Sequence, residues 1–193
     1  MASAQKRLKD RELVLLLADA AGGKLEGRTV AQKLAYFAGV ALEQQTGHTP
    51  HFFGPFSYEI ERSLNLAALA GDFDEELDRI PDWRGGPDAV KHTYLLTKAG
   101  KKEAAGIREA HPEEAETVER TINAIAEAVP NFRQATLSAA AKIHLIVSEE
   151  GRTISVDELP GLAKQLGWRL TKNQIKNTVG VLQDLGLVEV GGS

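Results

Sequence analysis

Three groups of polar side chains carry the chemistry that this chain can offer. The first is a loop pair, His48 and His51, three residues apart and within reach of one metal ion. No Asp, Glu or Cys stands at ligand spacing beside them, and a zinc-type site needs three or four donors. No metal and no cofactor is expected. The second group is acidic: Glu59 and Glu61, then Asp72, Asp74, Glu75 and Glu76. Paired carboxylates serve as acid–base couples or magnesium ligands, but no candidate nucleophile or base accompanies these. Charges on a strand edge also protect it from pairing. The third group is Lys172, Asn173, Lys176 and Asn177, with Gln183 further along. Such side chains contact phosphates and hydrogen-bond base edges. His111 reads as a helix-boundary residue before Pro112, and His144 as a hydrogen-bonded core or boundary residue. The chain has no phosphate-binding glycine loop, no HExxH and no serine elbow, so it is expected not to be an enzyme.

The third group needs a helix to align it, and the local sequence supplies one. Thr171 is a hydroxyl cap. Ile175, Val179, Leu182 and Leu185 then recur on one apolar stripe. Gly186 is a left-handed stop, and "LVEV" after it alternates as a short strand. A capped helix, a glycine and a strand match the third helix and first wing strand of a winged helix-turn-helix. The same residues also suit an ordinary solvated face, since this module is reused for protein contacts.

Charge distribution singles out the same place. The 193 residues carry a net charge of −4, which argues against strong non-specific nucleic-acid binding. Residues 56–130 hold nine Lys/Arg against sixteen Asp/Glu, whereas 164–177 hold four basic residues and no acidic one. Cysteine is absent, which excludes disulfides and thiolate chemistry. No run approaches the roughly 18 apolar residues of a membrane span. A cytoplasmic protein with no membrane partner is the simplest inference.

In chain order, residues 1–9 form a lead-in and a helix is expected from Asp10 to Ala21. "KLEGRT" is a connection, and Thr29 caps a second helix running to Thr46. "GHTPHFFGPF" is an extended segment and turn, with Pro55 in the first turn of a third helix that ends at Gly71. "DFDEELDRI" and "KHTYLLT" read as strands around the loop "PDWRGGPDAV", and Thr97 caps the next helix. Helices over 98–110 and 112–128 follow, divided by His111-Pro112. In the second, Val118, Ile122, Ile125 and Val129 form a narrow seam that either packs inside the monomer or builds a homodimer through 112–129. Beyond Pro130, a helix spans 137–148, Ser155 caps another through Leu166 with Pro160 inside it, and Trp168 anchors the turn before Thr171. Phe52, Phe53, Phe56 and Tyr58 around Gly54-Pro55 are mostly assigned to the core. One or two of them are left as a partner-binding spot that would comprise Phe53, Phe56, Tyr58 and Glu59.

A shift of 115 residues places Ile60 on Ile175, Leu64 on Val179, Gly71 on Gly186 and Phe73 on Val188. The chain therefore reads as mainly α with short β wings. Two tandem winged-helix-like modules, 1–100 and 131–193, are joined by a helical connector, 101–130.

The stretch Gln32-Lys33-Leu34 with Tyr36-Phe37, then Gly54-Pro55-Phe56-Ser57 with Glu59, then Tyr94-Leu96-Thr97-Gly100, resembles the YwgA-like family. More distantly it resembles the Panacea domain of antitoxins such as SocA. The resemblance covers about residues 10–105. It implies a winged-helix-like fold used in regulation or protein binding, and no catalytic residues. Panacea-type proteins carry a more elaborate region between the two motifs.

Two functions are expected from these readings. One is a DNA-binding transcriptional regulator, with Thr171, Lys172, Asn173, Lys176 and Asn177 on double-stranded DNA and Arg169, Lys164 and Arg152 on phosphates. A dimer is expected in that case, because one such helix buries little surface. The other is a protein-interaction adaptor, antitoxin-like or from a defence system, that does not touch DNA.

Overall fold

The computed structural model describes residues 7–81, 89–188 and 190–191. The expected lead-in over 1–6, most of the loop after Ile80 and Glu189 of "LVEV" lie outside them. Among the described residues the chain is mainly helical. Eight α-helices accompany a three-stranded antiparallel sheet and a two-residue parallel pair.

The first third of the chain runs α1 (Asp10–Ala20), β1 (Lys24–Glu26), α2 (Arg28–Ala41), α3 (Tyr58–Leu69), β2 (Phe73–Ile80) and β3 (Ala89–Leu96). Leu13 to Ala18 are all buried, so α1 is covered on every side. Its neighbours are α2, α3, α4 (Lys98–Ala110) and α5 (Pro112–Ala128). "KLE" is not merely a connection. It pairs as β1 with Thr93–Leu95 of β3, giving a sheet of order β1-β3-β2. Three residues are too few for a periodic signal, and the pairing depends on a strand some 70 residues away.

Several boundaries differ from expectation for identifiable reasons. The residue before α2 is Gly27, at φ 101°, rather than Thr29. The helix stops at Ala41 because Glu43 turns left-handed at φ 51°, and Thr46 folds back to bond His48. Pro55 lies in the turn before α3, whose cap is Ser57, with the hydroxyl accepting from the Ile60 N–H at 3.2 Å. Thr97 does cap α4 and also donates to the Gly71 carbonyl. Gly100 then passes so close to the Asp72 carbonyl that a Cβ there would sit 2.1 Å from the oxygen.

The second half runs α6 (Gln134–Glu150), β4 (Ile154–Ser155), α7 (Leu159–Gln165), α8 (Lys172–Asp184) and β5 (Val190–Gly191). Ser155 is a strand residue, not a cap. Its N–H is taken by Glu158, and α7 starts late, with Pro160 in its first turn. β4 and β5 pair in parallel.

One continuous apolar cluster runs from Leu8 to Val188, and Ala104, Ile107, Ala115, Val118, Ile122, Ile125 and Val129 of 101–130 belong to it. Val118, Ile122, Ile125 and Val129 are buried against the rest of this chain, where α5 meets α1 and α2. The seam is therefore taken up internally and is not open to a second copy. Among the described residues no helix is long and apolar enough to cross a membrane.

Candidate functional site

The most chemically distinctive exposed face belongs to α8. Thr171 and Gln174 cap each other. The threonine hydroxyl accepts from the Gln174 N–H at 3.2 Å, and the Gln174 side-chain oxygen accepts from the Thr171 N–H at 2.9 Å. This reciprocal box fixes the helix start. Ile175, Thr178, Val179 and Leu182 are buried against the core, chiefly α6. The opposite surface presents Lys172, Asn173, Gln174, Lys176 and Asn177, all exposed.

Lys164 at the end of α7 and Arg169 in the turn are also exposed. Among the described residues, none of Lys164, Arg169, Lys172 and Lys176 forms an ion pair. Arg152 differs. Its guanidinium donates to Glu158 at 2.8 Å and lies 3.4 Å from Glu150. That contact, with the Ser155 N–H, holds the Glu158 carboxyl down at about 2. Arg152 is thus engaged in a solvent-exposed local ion pair.

The turn before α8 rests on the turn before α3. Trp168 is buried, and its indole N–H donates to the His51 carbonyl at 2.6 Å. The Lys142 ammonium lies 5.4 Å from the Trp168 ring centroid. On the other side of this contact, the Gln32 side-chain amide makes a two-bond ring with Ser57. It donates to the Ser57 carbonyl at 2.8 Å and accepts from the Ser57 N–H at 2.9 Å.

Lys33, only 1% exposed, donates to the Pro55 carbonyl at 2.7 Å. Burial, with the Lys142 charge nearby, pulls its amine down to about 7. Gly54, at φ 98°, allows this approach, because a Cβ would meet Lys142 at 3.2 Å and Lys33 and Ser138 at 3.4 Å. The Gln32-Lys33 and Gly54–Ser57 motifs are therefore two halves of one hydrogen-bonded clasp.

The histidines serve this joint. His48 Nε2 faces the Gln32 carbonyl at 3.0 Å, so it carries the proton, and Nδ1 accepts from the Thr46 hydroxyl at 2.7 Å. His144 Nδ1 accepts from the Tyr36 hydroxyl at 2.8 Å. Burial pushes both histidines down to about 4, and each is neutral near pH 7. With both ring nitrogens of His48 engaged, it does not act with His51 as a ligand pair. Among the described residues no group of three His, Asp or Glu side chains gathers for a metal.

The aromatic turn overturns its core assignment. Phe52, Phe53 and Tyr58 are 73%, 51% and 69% exposed, Phe56 is half-buried, and Glu59 is exposed. Gln32 and Lys33 grip the backbone of this turn, so Gly54, Pro55 and Ser57 occupy the interior and the rings stand outside. Phe52 and Phe53 pair edge-to-face at 4.9 Å, as do Phe56 and Tyr58 at 5.1 Å.

Lys172, Asn173, Lys176 and Asn177 thus share one exposed face, with Thr171 at its cap and Lys164 and Arg169 on the preceding elements. The clasp is not foreseen by the sequence reading. Its one signal is two polar residues, Gln32 and Lys33, inside the apolar stripe of a helix. No protein-family model matches the chain, and no curated protein matches it.

Proposed function

We propose that this protein binds double-stranded DNA through α8, acting as a transcriptional regulator. The observation that carries this reading is the α8 face, where Lys172, Asn173, Lys176 and Asn177 are exposed with no carboxylate pairing the lysines among the described residues. The element orders support it. The order α1-β1-α2-α3-β2-β3 with sheet order β1-β3-β2 is the one expected of a winged helix, and α6-β4-α7-α8-β5 repeats its sequence of elements, with β4 and β5 paired in parallel. α8 is then the recognition helix, Lys164 and Arg169 reach phosphates, and Arg152 is paired with Glu158. The test is fluorescence anisotropy with own-promoter and random DNA across about 50 to 200 mM salt. Tight promoter binding that weakens steeply with salt supports the reading. It fails if Lys172→Ala with Lys176→Ala leaves promoter affinity unchanged.

A second reading has its own observation. The exposed Phe52, Phe53 and Tyr58, beside Glu59 and an acidic sheet, favour a non-enzymatic protein-interaction adaptor of the antitoxin-like kind suggested by the YwgA and Panacea resemblance. Aromatic anchors on a rigid turn suit protein contacts. No DNA binding at the lowest salt, with loss of a co-purifying partner on Phe53→Ala, would favour this reading over the first.

A further inference from the structure

β1 covers less than half of the strand it pairs with. Lys24, Leu25 and Glu26 lie against Leu95, Tyr94 and Thr93, whereas β2 pairs with all eight residues of β3. Gly27, at φ 101°, turns the chain away into α2, so among the described residues Ala89–His92 have a strand neighbour on one side only. The Leu96 N–H donates to the Gly23 carbonyl at 2.9 Å, which fixes the side toward which Leu96 points. Backbone groups alternate sides along an antiparallel strand, so Tyr94, His92 and Val90 point the same way. Tyr94 meets Leu25. Val90 and His92 present an N–H and a C=O each, with no backbone partner on that side among the described residues.

Beside this edge runs a groove of about 320 Å³ whose walls include Arg28, Phe53, Ile80, Val90, His92 and Gln134. Ile80 and Val90 are about half exposed, like Phe53. The basic side chains at the groove are already partnered, Arg28 with Glu61 and Lys91 with Glu26, and the His92 ring meets the Glu75 carboxylate at 2.6 Å. What remains is apolar surface, main-chain hydrogen-bonding groups and the neutral Thr29 and Gln134 side chains, which does not favour nucleic acid or a strongly charged peptide. The outer edge of β2 contrasts with it, bearing Asp74, Glu76 and Asp78, charges that keep strands from adding there.

We infer that the open edge of β3 at Val90 and His92, together with the groove under Phe53, binds an extended segment of a partner protein as an added strand. The segment carries apolar residues at alternate positions. Three observations specify it. The added strand continues the ladder that β1 begins. A strand needs only about 4.8 Å beside its neighbour, whereas a helix is about 10 Å wide. Phe53 lines the same groove as Val90 and His92 and gives an added strand an apolar wall for its alternate side chains. Main-chain bonds supply affinity and alternate side chains supply specificity, as in other strand-addition complexes. This site is independent of α8 and of the DNA reading.

The test selects dodecapeptides from a random phage-displayed library on the full chain, then measures the enriched peptides by anisotropy and by amide exchange. Apolar alternation in the selected peptides, with slowed exchange at the Val90 and His92 amides, is the expected result. Val90→Pro removes an N–H that points away from β2, and proline is tolerated at such edges. It should weaken peptide binding by at least about tenfold with an unchanged melting temperature. Phe53→Ser, which leaves the strand untouched, should weaken binding as well, and it replaces Val90→Pro if that variant unfolds. The inference is overturned if no peptide is enriched, if the peptides lack alternation, or if both variants bind as well as the parent. It is equally overturned if sedimentation shows the chain pairing with itself through this edge.

Discussion

α3 and α8 are built on one frame and dressed for different work. Both start at a hydroxyl cap, Ser57 and Thr171. Both bury an isoleucine one turn in, Ile60 and Ile175, and both end at a left-handed glycine, Gly71 and Gly186, at φ 80° and 66°. Their closing hydrogen bonds correspond atom for atom. Asp72 N–H meets the Ala67 carbonyl and Leu187 N–H meets the Leu182 carbonyl, each at 2.9 Å, the six-to-one bond of a Schellman end. The exposed faces share nothing. α3 shows Tyr58, Glu59, Arg62 and Leu66, while α8 shows Lys172, Asn173, Lys176 and Asn177. A frame set by caps and buried positions leaves the outer face free to change, and the sign of charge there decides what the helix can approach. Carboxylates on α3 would be repelled by phosphate. The lysines on α8 would not.

Perturbing the shared frame should give the largest effects. Ile60→Ala and Ile175→Ala each remove a fully buried side chain and should each cost about 2–5 kcal/mol in denaturant unfolding. Equal losses support one frame used twice in one core. A two-step transition for Ile175→Ala alone would break that equivalence by showing a separately melting second half.

The joint between the two turns gives the next effect. His144 and His48 titrate near 6.5 in an unfolded chain but are pushed down to about 4 here by burial. Below about pH 6.5 the unfolded state therefore binds protons that the folded state does not. Stability present above that pH is lost as pH falls toward 4. The melting temperature should drop across this window, and His144→Gln, which keeps an acceptor for Tyr36, should flatten the slope. An unchanged slope in that variant would remove His144 from the joint.

Smaller still is Gly180→Ala. Gly180 lies inside α8 with nothing within 4 Å of the place a methyl group would occupy, and alanine at such a site should stabilise by about 0.5–1 kcal/mol. A loss on thermal melting would mean that the α8 backbone is held more tightly than its surroundings indicate. The smallest effect on stability belongs to Lys172→Ala with Lys176→Ala, within about 0.5 kcal/mol. The same pair should lower the salt slope of DNA binding by about two. An unchanged slope would erase the functional contrast between the two helices.

What could be read directly from the sequence was the part of the fold that neighbours in the chain decide. Thr171, Ile175, Val179 and Gly186 act within one helix, as do Ser57, Ile60, Leu64 and Gly71. Periodicity and the Thr171 cap specified α8 almost to the residue, and periodicity gave the buried face and the end of α3 but not its start at Ser57. The hairpin strands and the helices on either side of His111-Pro112 were legible for the same reason. The rest depended on partners far along the chain. β1 exists because of Thr93–Leu95. Gln32 and Lys33 are interior because Ser57 and Pro55 bring carbonyls to them, which in turn places Phe52 and Phe53 outside. Glu158 and Glu150 tie Arg152 into an ion pair, and α1 and α2 close over the seam of α5. A hydrogen bond or an ion pair needs two ends. Where the second end lay dozens of residues away, only the tertiary structure could supply it.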